Sequence, residues 1–238
     1  MRIAFISDIH GNSPALEAVL DDIKTRNVDN IVVLGDLCFR GPDPKKSLRL
    51  VQSLHTDVIM GNADEWVIRG IRQGEVADQA FEIMTKEREW TKERLDGEDL
   101  KYLASLPRSV SMTVDGVKIN CFHATPADLF EVVLPDASDD TFSEKMFLEE
   151  ADIYFYGHIH KAFIRFIGGK TIVNLGSVGL PFDGHPKASY ALLETENGTF
   201  QTSIVKVPYD VEKVIEQLIE SDYPNKEFLS RLLRTAMN

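Results

Sequence analysis

The sequence predicts an α/β protein in which two sheets pack face to face with helices outside. Three observations predict it. Apolar, β-like runs alternate with amphipathic stretches through the N-terminal part of the chain, which is the rhythm of parallel strands with helical crossovers. From residue 109 to residue 207 the chain turns to β-branched or alternating runs separated by Gly-containing turns. Two further segments, 63–106 and 209–238, carry helical periodicity.

Taken in order, Ile3-Ala-Phe-Ile-Ser7 reads as a strand, residues 14–26 as a helix, Ile31-Val-Val-Leu-Gly35 as a strand, 44–54 as a helix and Asp57-Val-Ile-Met-Gly61 as a strand. Residues 63–106 are rich in charges and helix formers, with Phe81, Ile83, Met84, Trp90, Leu95, Leu100 and Leu103 spread at helical spacing, and they read as a helical insertion. Residues 109–123 hold two β-like runs joined by Asp115-Gly116, a pair favoured in two-residue hairpin turns. Strands at 153–157, 163–176, 189–195 and 199–207 follow, punctuated by Gly168-Gly169 and Asn197-Gly198. From Tyr209 the chain returns to a helical tail through Val214, Leu218, Phe228, Leu232 and Leu233. No repeat, low-complexity tract or flexible linker interrupts it, so residues 1–238 are expected to form one domain.

Bulk properties narrow the function. The 238 residues are 43% hydrophobic and 27% charged, long enough to bury a core that supports a polar site without disulfides. Apolar runs fall short of the roughly 20 residues of a membrane helix, and the N-terminus carries too short an apolar stretch for a signal peptide. A cytoplasmic protein with no membrane partner is expected. Cys38 and Cys121 lie far apart and lack metal or redox spacing, so both read as free thiols. A net charge of −12 has the wrong sign for wrapping extended nucleic acid, although bound metal ions could give one pocket a local positive charge. The sequence sets no oligomeric state.

The chemistry stands at the ends of the apolar runs. Asp8 and His10 follow the first, Asp36 the second and Asn62 the third; His123 follows the run at 117–122, and His158 and His160 the run at 153–157. A lone Asp after a strand is ordinarily a turn or cap residue, and a lone His an ordinary surface or core residue. Here four of the six His share such ends with two Asp and one Asn, and in open α/β sheets ligands bind beyond the carboxyl ends of the strands. Mixed Asp, Asn and His donors suit borderline divalent ions: Mn, Fe, Ni, Zn or Co. Seven donors exceed one ion's need, and two ions sharing a carboxylate fit better.

The motifs Asp8-Ile9-His10-Gly11-Asn12, Gly35-Asp36, Gly61-Asn62, His123-Ala124-Thr125-Pro126 and Gly157-His158-Ile159-His160, with residues 174–179 downstream, resemble those of the calcineurin-like metallophosphoesterase family. The resemblance spans residues 1 to about 195 and is nearest to its small bacterial and archaeal phosphodiesterase branch. It implies a four-layer αββα fold. It also implies that Asp8, His10 and His160 hold one metal, that Asn62, His123 and His158 hold the other, and that Asp36 bridges both. The nucleophile would be a water between two divalent ions, Mn foremost, with Asp36, Asn62 and Arg40 in the catalytic set.

Two positions depart from the better-known members, in which a His follows the Gly-Asn pair and pairs with an Asp to form a dyad near the leaving group. This chain has Ala63 and Phe39 there. General acid catalysis is worth about 10²–10⁴-fold, so its loss predicts a preference for easily departing groups such as aryl oxygens or anhydride phosphates.

Asn12 and Arg40 lie beside ligand motifs and are expected to bind phosphate oxygens of a small phosphate ester or nucleotide. Trp66, Arg69 and Arg72 open the helical insertion as candidate substrate contacts, Trp66 as a stacking face, while Asn174 and Ser177 are candidates to support the ligand loops. His185 reads as a solvent-exposed loop residue. The leading expectation is a metal-dependent phosphoric ester hydrolase, with phosphodiesters first, nucleotide anhydrides such as diadenosine polyphosphates second and phosphomonoesters third. The rival from another class is a non-catalytic scaffold on the same fold, and seven intact ligand positions argue against it.

Overall fold

The computed structural model describes residues 1–237. Two five-stranded mixed sheets face each other. The first runs β10 (Thr199–Val207), β9 (Ala188–Glu196), β1 (Arg2–Ile6), β2 (Asn30–Val33) and β3 (Asp57–Val58). The second runs β4 (Ser109–Val114), β5 (Val117–Phe122), β6 (Ile153–Tyr156), β8 (Lys170–Asn174) and β7 (Phe163–Ile167). In the first sheet β1 and β2 pair in parallel, with Ile3 opposite Asn30, so both strands deliver their C-terminal ends to the same edge.

The side-chain period of two decides what each face of β1 buries. Ile3 and Phe5 point between the sheets and join Val32, Leu34 and Ile59, meeting Ile119, Cys121, Ile153 and Phe155 of the second sheet. Phe5 and Phe155 stack there at 3.9 Å between centroids. Ala4 and Ile6 point the other way, onto Leu16, Val19 and Ile23 of α1 (Ser13–Thr25) and onto Leu48 and Val51 of α2 (Pro44–Ser53). Covered on both faces, the strand reads as a continuous apolar run, and each buried side chain of this size contributes about 1.5–3 kcal/mol of transfer free energy. The outer face of the second sheet packs Tyr154, Tyr156 and Ile172 against Phe142 and Met146 of α6 (Asp139–Met146), completing four layers.

The three hairpin turns follow the sequence signals. Asp115-Gly116, Gly168-Gly169 and Asn197-Gly198 all stand at positive φ, as a two-residue turn matched to strand twist requires. Asp57–Val58 is shorter than the expected five-residue strand: Ile59 N still donates to Val33 O of β2 at 2.9 Å, but Met60 N turns to Pro107 O at 2.7 Å as the chain enters the segment that carries Asn62.

Residues 63–106 contain most of α3 (Asn62–Arg69) and all of α4 (Asp78–Glu93) and α5 (Gly97–Ser105). Trp66, Val67 and Leu103 join the core beside the first sheet. Trp90 of α4 instead packs on the tail helices α7 (Val211–Glu220) and α8 (Lys226–Thr235), its indole donating to Asp222 Oδ1 at 2.7 Å. Among the described residues no helix is long and apolar enough to cross a membrane.

Candidate metal centre

Every expected ligand but Asn62, the first residue of α3, sits on a loop at one edge of the two sheets, and the backbone there is costly. Asp8, His10, Asp36, His158 and His160 stand at φ between 50° and 66°. Left-handed backbone costs a non-glycine residue about 1–2 kcal/mol, and such strain concentrates at functional sites. Loop-to-loop hydrogen bonds hold it in place: Asp8 N donates to Gly35 O at 3.1 Å, His10 N to Asp36 O at 2.9 Å and Gly157 N to His123 O at 2.9 Å.

The glycines before the ligands are there for space. A Cβ on Gly61 would lie 2.1 Å from Asp36 Oδ1, and one on Gly157 would lie 2.4 Å from Asp8 Oδ2. Any side chain at either position displaces a carboxylate from the centre.

The donors fall into two sets around Asp36. On one side, Asp8, His10, Asp36 and His160 each offer an atom within 4.8 Å of the others. His10 Nε2 lies 3.6 Å from Asp36 Oδ2, and His160 Nε2 lies 3.1 Å from Asp8 Oδ1. On the other side, Asn62 Oδ1 lies 2.9 Å from His123 Nε2 and 2.8 Å from His158 Nδ1, with His123 Nε2 3.5 Å from Asp36 Oδ1. The two oxygens of Asp36 therefore face different donor sets. Asp36 Oδ1 also accepts from Ala63 N at 2.8 Å, at the positive N-terminal end of α3.

Carbonyl groups fix the ring tautomers. The Nδ1–H groups of His10, His123 and His160 donate to Phe39 O at 2.7 Å, Leu34 O at 2.7 Å and Leu180 O at 2.5 Å. In the neutral rings this turns the Nε2 lone pairs inward. His10 and His160 then meet lone pair to lone pair at 3.0 Å, beside two carboxylates, an arrangement that a cation reconciles. The donor set of imidazole, carboxylate and amide oxygen fits a borderline divalent ion.

Charge follows the same pattern. Burial, then the neighbouring His160, pushes His10 down to about 4; burial, then His123, pushes His158 down to about 4. Burial also disfavours a charge on His123, but the carboxylates of Asp36 and Asp8 outweigh it and lift that ring to about 10. Asp8 and Asp36 are held below the usual carboxylate range: burial opposes their charge, but for Asp8 His160 and for Asp36 His123 lead the effects that outweigh it.

The residue that sequence reasoning missed is Asp64. Fully buried, it accepts from Asp36 N at 2.8 Å, Leu37 N at 2.9 Å and Gly61 N at 2.9 Å, tying two ligand loops together. Burial, then the Asp36 charge, pushes it up to about 7. Its only sequence signal was an Asp two places after Asn62, at the third position of a helix that follows Gly61.

Asn174 and Ser177 brace the loops as expected: Asn174 Nδ2 donates to Gly157 O at 2.6 Å and Ser177 Oγ to Asp8 O at 2.7 Å. Asn12 is corrected. It is 1% exposed, its Oδ1 caps α1 by accepting from Ala15 N at 3.1 Å, and its Nδ2 donates to Gly179 O at 2.9 Å, so it is not presented to a substrate. Arg69 is held by Glu65 at 2.7 Å and Glu75 at 2.6 Å. The indole of Trp66 donates to the same Glu75 at 3.0 Å, and Arg72 lies exposed. His185 is exposed, in keeping with an ordinary loop residue.

A cleft of about 150 Å³ opens over the donors, lined also by Phe39, Arg40, Ala63, Trp66, Met84 and Phe182. The guanidinium of Arg40 lies 6.0 Å from the centroid of the Phe228 ring. Glu87 of α4, fully buried, faces Arg40 Nε at 3.5 Å. The dyad positions are apolar: Phe39 is fully buried and meets Trp66 edge-on at 6.2 Å between centroids. A larger cavity of about 660 Å³, lined by Met1, Arg2 and Glu194 among others, shares no residue with the donors.

Residues 1–198 match the family model described as "Calcineurin-like phosphoesterase superfamily domain". The chain is 34% identical to the uncharacterized protein MJ0912 of Methanocaldococcus jannaschii over 93% of both proteins. It is also similar to two solved structures. One is a metallophosphoesterase from Sphaerobacter thermophilus, with a TM-score of 0.80, 28% identity and coverage of 100% of this chain and 99% of that one. The other is the hypothetical protein PH1004 from Pyrococcus horikoshii OT3, with a TM-score of 0.85, 21% identity and coverage of 99% and 98%.

Proposed function

The chain belongs to the calcineurin-like phosphoesterase superfamily, and we propose that it is a two-metal phosphoester hydrolase acting foremost on phosphodiesters with good leaving groups. The observation that carries the reading is Asp36, whose Oδ2 lies 3.6 Å from His10 Nε2 and whose Oδ1 lies 3.5 Å from His123 Nε2, one oxygen toward each donor set. Asp8, His10 and His160 would hold one ion, Asn62, His123 and His158 the other, and Asp36 both, with Mn as the first choice and Fe, Ni, Zn or Co as alternatives. Two such ions supply Lewis acidity at the phosphoryl group and lower the pKa of a water from about 15.7 toward about 7.

The chain's own residues set the selectivity. Arg40 offers a planar fork to a phosphoryl oxygen, but the carboxylate of Glu87 at 3.5 Å already offsets much of its charge. That favours a singly charged diester over a doubly charged monoester. Phe39 and Ala63 offer no proton to a departing alkoxide, so the leaving group must be stable as an anion. Trp66 and Phe39 keep that side of the cleft dry.

Removal of metal is expected to drop turnover of an aryl phosphodiester to background and Mn to restore it, with the aryl diester ahead of the aryl monoester. Rapid hydrolysis of an alkyl monoester would contradict the leaving-group argument, and no turnover with any of these metals would leave the scaffold reading in possession.

Metal binding should also release a proton. His123, at about 10, carries a proton at neutral pH that a metal must displace, whereas His10 and His158, at about 4, are already neutral. Affinity should therefore rise with pH, by about tenfold per unit between roughly pH 6 and 8 for one proton displaced. Titration calorimetry of Mn in buffers of different ionisation enthalpy counts the protons, and a count of zero at neutral pH would mean that His123 is already neutral in the metal-free protein.

A further inference from the structure

Next to the metal centre lies a groove of about 500 Å³ lined by Val132, Leu134, Ile159, Lys161, Phe182 and Met237, with His158 at its inner end. His158 and Phe182 also line the cleft over the donors, so the two spaces adjoin. Val132 is 58% exposed, Leu134 43% and Met237 62%, which places three of the molecule's exposed large apolar side chains on this one feature. Scattered single apolar residues are ordinary on a surface; a cluster beside a reactive centre marks a binding surface.

We infer that this groove binds the hydrocarbon part of an amphiphilic phosphodiester while the phosphoryl group sits at the metal centre. The inference rests on the phosphoesterase reading above and names its substrate class. The occupant follows from the lining. Among the described lining residues, all but His158 and Lys161 have apolar side chains, and none is an amide, hydroxyl or carboxylate able to read the edge of a nucleobase. Phe182 already lays its ring against His160, at 4.5 Å between centroids and 24° between planes, so one of its two faces is taken. Among the described lining residues Lys161 is the single cation and none is a carboxylate, so an anionic amphiphile can approach. The stem of such a lysine lies along apolar surface with its ammonium in water.

The test is a series of alkyl p-nitrophenyl phosphodiesters with methyl, butyl and octyl groups, assayed with the Mn-loaded protein below the micellar concentration. The leaving group is constant, so intrinsic reactivity hardly changes. The expected result is a rise in kcat/KM of about two- to fourfold per added methylene until the groove is filled. Leu134→Asp and Val132→Asp should each flatten the octyl-to-methyl ratio, whereas Phe166→Ser, at a position 76% exposed and outside the groove, should leave it unchanged. If the methyl ester turns over but the ratio is flat in the unaltered protein, the inference fails and the phosphoesterase reading stands. If no ester turns over, the phosphoesterase reading itself has failed. A nucleoside p-nitrophenyl diester that outpaces the octyl ester would overturn the hydrocarbon assignment. So would a flat ratio accompanied by a change of sedimentation in Leu134→Asp, which would make the groove a self-association face.

Discussion

Asp36→Asn is expected to lower kcat/KM on an aryl phosphodiester by about 10³-fold or more while leaving the fold intact. The carboxylate is the one group with an oxygen directed at each donor set, 3.6 Å from His10 Nε2 and 3.5 Å from His123 Nε2. An amide keeps the shape but offers one neutral oxygen, and the charge that would hold two cations together is lost. Metal-ion stabilisation is worth several kcal/mol, and each 1.36 kcal/mol is about tenfold in rate. Metal content by mass spectrometry should fall together with rate. The amide oxygen can still accept from Ala63 N, which the carboxylate does at 2.8 Å. Activity within tenfold of the parent would show that Asp36 does not bridge.

Asp64→Ala is expected to cost about 4 kcal/mol of folding stability, a large fraction of the roughly 5–15 kcal/mol that holds a typical domain. The substitution strands the buried N–H groups of Asp36, Leu37 and Gly61, and an unsatisfied buried donor costs about 1–3 kcal/mol. Asp64→Asn should cost less, since its oxygen still accepts, but its amide hydrogens face other donors. Denaturant titration of the metal-free protein measures both. Metal affinity should fall in parallel, because the same bonds position the loops of Asp36 and Asn62. A loss below about 1 kcal/mol for the alanine variant would mean that water satisfies those groups.

How much of this was legible depended on how local the physics was. The convergence of the candidate donors was legible because each follows an apolar run that pairing and burial force to be a strand, and parallel strands such as β1 and β2 bring their ends to one edge. The hairpin turns were legible because Gly and Asn tolerate positive φ and few other residues do. Asp64 was not, since its meaning lies in two N–H groups 27 and 28 residues away. Asn12 was misread for a related reason: beside a ligand motif it resembles a phosphate contact, yet the helix that begins after it claims the side-chain oxygen.

The sequence by itself determined the α/β class and the two-sheet architecture and marked the candidate donor residues, because strand periodicity and strand-end chemistry are local properties written in consecutive residues. Only the tertiary structure decided which donors face which oxygen of Asp36, that Glu87 backs Arg40, and that Val132, Leu134 and Met237 share a groove with His158. Those relations join segments up to about a hundred residues apart, and contacts of that separation are set by how whole layers pack against one another.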